Sequence, residues 1–93
     1  MIKSFRYKGL EKFFTTGSKA GIQPKHAALL EEQLAALDSA TNSADIGAAP
    51  DWKLHSLRVK LEGHFAIRVS GNWRLTFTFE GTDVVLLDYL DYH

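Results

Sequence analysis

The chain follows two hydrophobic periods, and the change from one to the other at Trp52 limits the folds it can adopt. Before Trp52, apolar residues recur every three or four positions, the spacing of a helix face. "KGLEKFFTTG" aligns Leu10, Phe13 and Phe14 on one side of a short helix, and Gly17 is placed to end it. "QPKHAALLEEQLAALDSAT" is a longer helix with Pro24 in its first turn and Ala27, Leu30, Leu34 and Leu37 on one stripe. His26 is expected to sit in solvent beside that stripe, and "NSADIGAAPD" reads as a loop of small residues.

After Trp52 the period is two. Phe65, Ile67 and Val69 alternate with His64, Ala66 and Arg68; Ser70-Gly71-Asn72 signals a turn; then Trp73, Leu75, Phe77 and Phe79 alternate with Arg74, Thr76 and Thr78. "EGTD" makes a second turn before "VVLLDYL", a strand apolar enough on both sides to be central. "WKLHSL" and "IKSF" read as further strands. The expected fold is α+β: two N-terminal helices packed on one face of a small, mainly antiparallel sheet, in the order β-α-α-β-β-β. Residues 1–93 are expected to form one domain. Alternation leaves His64, Arg68 and Arg74 on the open face of the sheet.

Several functions are excluded by composition. Without cysteine there is no disulfide framework and no thiolate nucleophile. No His or acidic spacing suits a metal, so neither a metal nor another cofactor is expected. No apolar run approaches membrane-spanning length and "MIKSF" lacks a signal region, which points to a cytoplasmic protein away from membranes. Net charge is zero, but the charges come in blocks: +5 over 1–30 (six basic, one acidic) and −5 over 31–51 (five acidic). The blocks continue with +4 over 52–78 (five basic, one acidic) and −4 over 79–93 (four acidic). A neutral chain can thus still present a local cationic patch.

The residues left to do chemistry are a basic surface and its neighbouring acid/base groups. Arg74 and Arg68, with Arg58 and Lys60 close in sequence, suit phosphate oxygens. His55, His93, Tyr92 and Asp91 could move protons around a phosphodiester. A purely structural account gives Arg74 a salt bridge with Asp88, makes Tyr89 and Tyr92 core aromatics, and leaves His64 as a surface strand residue.

"MIKSFRYKGLEKFF", "WKLHSL", "GNWRLTFTF" and the terminal "DYLDYH" resemble the HigB branch of the RelE/ParE toxin superfamily over nearly the full length. These are also called host-inhibition or plasmid-maintenance killer proteins. The resemblance implies a RelE-like fold and a ribosome-dependent mRNA interferase that cuts mRNA in the A site without metal. It implies a helix-turn-helix antitoxin of the HigA type, with operator DNA bound only through that antitoxin. It places His55, Arg74, Asp91, Tyr92 and His93 in the active site, and Asn72, Arg58 and Lys60 against RNA; Arg68 is expected to join the RNA contacts from its place on the open face. ParE relatives share the fold but act on gyrase, so a non-catalytic inhibitor and a toxin fold of reduced activity are the alternative readings. Members commonly read Pro-Leu-Lys-Gly after the histidine where this chain has Ser56-Leu57-Arg58-Val59. The arginine keeps the charge but is a poor proton donor.

Overall fold

The computed structural model describes residues 1–57 and 63–91. Helices α1 (Lys8–Thr16), α2 (Ala27–Ser39) and α3 (Ser43–Gly47) precede strands β1 (His55–Leu57), β2 (His64–Ser70), β3 (Trp73–Glu80) and β4 (Asp83–Asp91). The strands lie in the order β1-β2-β3-β4, every pair antiparallel. The α+β class read from the periodicity is therefore the observed one, with differences at the N-terminus and after α2.

Local chemistry explains most boundaries. α1 stops because Gly17 turns left-handed (φ 79°) and its N–H returns to the Phe13 carbonyl at 3.0 Å. Leu10 and Phe13 are buried, but Phe14 lies at the surface with its ring 5.8 Å from Phe5. A single 3-10 turn, Pro24–His26, leads into α2, whose Leu30, Leu34 and Leu37 pack into the core. Opposite them stand Ile67, Leu75 and Phe77 of the sheet, all without solvent contact. Gln33 is buried on the same stripe because its Nε2 donates to the Arg68 carbonyl at 2.8 Å, beside a register shift between β2 and β3.

The segment read as a small-residue loop contains α3. Asn42 caps it by accepting the Asp45 N–H at 3.2 Å, and the Asp45 carboxylate accepts the Thr41 N–H at 3.0 Å. That backbone bond to Thr41 holds the Asp45 carboxyl below its ordinary pKa. The short helix buries Ile46.

The expected first strand is reduced to two isolated parallel bridges, Ile2 to Val84 and Phe5 to Leu87. A bulge in β4 is the reason. Thr76 faces Asp88 and Thr78 faces Val85, which leaves Leu86 extra, at φ 56°, with its N–H on the Ser4 hydroxyl at 2.8 Å. The bulge breaks the ladder, so the N-terminal residues pair only at each side of it. β4 nonetheless has neighbours on both edges, in keeping with its apolar run.

Residues Tyr7 to Gly21 close on themselves. The Tyr7 hydroxyl donates to the Gly21 carbonyl at 2.8 Å. A Cβ on Gly21 would come within 2.7 Å of that hydroxyl and 2.9 Å of the Gly9 backbone. Gly21→Ala is accordingly expected to cost about 1–3 kcal/mol, as overpacking usually does, and urea unfolding measures it.

Candidate active site

β2 and β3 are joined by the two-residue turn Gly71-Asn72 between the paired Ser70 and Trp73. Gly71 has φ 57° and Asn72 has no positive φ, the pattern of a type II′ hairpin. This turn fixes Arg74. Its Nη1 donates to the Gly71 carbonyl at 2.7 Å and to the Trp73 carbonyl at 3.0 Å, which aims the guanidinium at the end of the hairpin. Arg68 stands directly across from Arg74. The salt bridge with Asp88 does not form: Asp88 faces Thr76, and its Oδ1 accepts the Tyr89 N–H at 2.9 Å.

His55 begins β1, opposite Ala66, in a row that continues through Thr76 to Asp88. It therefore shares the open face with Arg68 and Arg74. Ideal strand spacings separate the His55 and Arg74 α carbons by about 12 Å, a gap two long side chains can bridge around one phosphodiester. Ala66 and Thr76, between them on the row, are small and buried. The His55 Nδ1 lies 3.0 Å from the Lys53 carbonyl, which can only accept. Nδ1 therefore carries the proton, and Nε2 of the neutral ring is left as an acceptor. Lys53 presents that carbonyl from a left-handed backbone (φ 51°).

At the other end of the row, β4 brings Leu90 opposite Arg74 and Asp91 opposite Trp73. Asp91 is thus one position along from Arg74 and on the other side of the pleat. Asn72 is exposed in the turn. Tyr92, His93, Arg58 and Lys60 lie outside the described residues. His64 departs from expectation: it is half-buried, and neither ring nitrogen meets solvent or, among the described residues, a hydrogen-bond partner. Among the described residues no three His, Asp or Glu side chains are grouped to hold a metal ion.

The second departure is His26, which is buried rather than solvated. Its Nδ1 is 2.6 Å from the Tyr89 hydroxyl, which also accepts the Gln23 N–H at 3.4 Å. Tyr89 stacks on Trp73 at 4.5 Å, and the His26 ring meets both edge-on. The clue in the sequence is spacing: His26 precedes Leu30, Leu34 and Leu37 on the same helical stripe. Burial raises the Tyr89 pKa, so the phenol keeps its hydrogen and donates it to Nδ1. Burial, then the charge of Lys25, lowers the His26 pKa below 6.5. A proton on Nδ1 would set two donors against the Tyr89 oxygen and leave the phenol hydrogen without an acceptor. Because the folded pKa is depressed, stability is full above 6.5 and falls as pH drops below it towards the folded value. Melting temperature is expected to fall between pH 7 and pH 5. Replacing both partners, His26→Phe with Tyr89→Phe, should flatten that limb.

Among the described residues no helix is long and apolar enough to cross a membrane. The chain matches the family model for the HigB-like toxin, the RelE-like toxin of type II toxin–antitoxin systems, over residues 3–93. It is 39% identical over 93 residues, all of both chains, to a protein named endoribonuclease HigB from Proteus vulgaris. The chain belongs to the HigB-like family of RelE-like type II toxins.

Proposed function

We propose that the protein is an endoribonuclease that enters the A site of translating ribosomes and cuts mRNA by metal-free acid/base catalysis. What carries the reading is the register that puts His55, Arg68 and Arg74 on one face, at the strand ends from which the chain continues past Asp91. The full-length likeness to a named endoribonuclease supports it.

The chemistry follows from the groups. His55 Nε2, an unprotonated acceptor, takes the proton of a ribose 2′-hydroxyl. The 2′-oxygen attacks phosphorus, and Arg74 and Arg68 stabilise the charge on the pentacoordinate phosphorane. The P–O5′ bond breaks as an acid protonates the leaving oxygen, giving a 2′,3′-cyclic phosphate and a 5′-hydroxyl. His93 is assigned the acid, with Tyr92 and Asp91 orienting it. Asn72, Arg58 and Lys60 contact RNA, where the charge of Arg58 suffices.

A type II toxin works against a cognate antitoxin. Here that partner is a helix-turn-helix protein of the HigA type, operator DNA is reached only through it, and the site of action is the cytoplasm. Primer extension on mRNA from programmed ribosomes tests the reading. The expected result is codon-phased cuts whose upstream fragments end in a 2′,3′-cyclic phosphate. Intact mRNA accompanied by gyrase poisoning would replace it with the non-catalytic alternative.

A further inference from the structure

Tyr89 is where three parts of the chain meet beneath the proposed site. Its ring stacks on Trp73 at 4.5 Å and lies 6.3 Å from Tyr7, while its hydroxyl is held by His26 and the Gln23 N–H. Trp73 precedes Arg74 and faces Asp91; Tyr89 precedes Leu90, which faces Arg74. One stack therefore sets the two backbones from which the guanidinium and the end of β4 depart.

The His26–Tyr89 pair has a cost that packing does not explain. His26 Nε2 is buried with no hydrogen-bond partner among the described residues. Two apolar rings would fill the same layer without an orphaned polar atom, since replacing both members of a buried pair is often neutral or better. What the pair does supply is direction: a 2.6 Å bond lets the hydroxyl occupy one position. His26 lies on the helix-covered side of the sheet and does not reach the open face, so any effect on the reaction passes through its neighbours.

We propose that His26 is a positioning residue for RNA cleavage, acting through its hydrogen bond to Tyr89 and the stacking of Tyr89 on Trp73 to hold the end of β4 against Arg74. This role rests on the endoribonuclease reading. Small misplacements matter at such a site: about 1 Å can lower a rate by around a hundredfold.

The test compares His26→Phe, Tyr89→Phe and the double variant with wild type on programmed ribosomes, alongside melting curves and amide exchange by NMR. All three variants are expected to lower kcat by about ten- to a hundredfold with KM unchanged. The double variant should melt above His26→Phe, because no polar partner is stranded, yet remain as slow. Exchange at Arg74, Leu90 and Asp91 should quicken in all three. If kcat in the double variant recovers together with its stability, or exchange at those amides matches wild type, His26 is structural only and the positioning role falls. If wild type itself fails to cut, the endoribonuclease reading is what fails. The exchange rates then still report whether His26 holds the end of β4.

Discussion

Arg74→Ala is expected to abolish RNA cleavage while the protein stays folded, with the rate falling by about 10²–10³ or more, the usual effect of removing a donor from developing transition-state charge. The direction of Arg74 is set by the turn before it, through the carbonyls of Gly71 and Trp73. Those bonds sit at the exposed hairpin end, so their loss should cost the fold only about 0.5–1.5 kcal/mol each. Relief of the like charge on Arg68 opposes that loss. Arg74→Lys should retain binding through charge but lose the planar fork, and so cut at an intermediate rate. Single-turnover cleavage on programmed ribosomes measures the effect, and a melting curve confirms folding. Undiminished cutting by Arg74→Ala would move the phosphate site away from the hairpin.

Deleting His93 is expected to be nearly as damaging, with a loss of about 10²–10⁴, the range for a general acid. The described strand pairing runs to Asp91 opposite Trp73, two positions before the residue deleted. His93→Gln separates proton transfer from bulk, because the amide can hydrogen-bond but cannot deliver a proton near neutrality. Growth arrest on induction gives the cellular counterpart. A deletion variant that remains fully toxic would remove the terminus from catalysis and leave His55 without its opposite number.

Much of the architecture was legible because apolar spacing decides it. The change of period at Trp52, the Gly17 cap and the Ser70-Gly71-Asn72 turn each depend on neighbours a few residues away, and each stands as read. The α3 helix was also readable in principle, since an Asn three residues ahead of an Asp is a capping pattern. Small residues and Gly47 obscured it. Long-range pairing was not readable. His26 and Gln33 look like solvated helix residues until Tyr89 and the Arg68 carbonyl arrive from the sheet half to satisfy them. The bulge at Leu86, which breaks up the first strand, likewise has no mark in a run of apolar residues. For the site, alternation alone put Arg68 and Arg74 on one face. Asp91's place across the pleat needed the register of β3 and β4.

Arg68 and Arg74 are register partners across β2 and β3, and among the described residues neither forms a salt bridge. Like charges at directly opposed strand positions repel, so the protein gains stability from an anion that settles between them. Its melting point therefore depends on which salt surrounds it, higher in sulfate than in chloride of matched ionic strength. Any polyanion that fits between them acts as a thermal protectant by mass action.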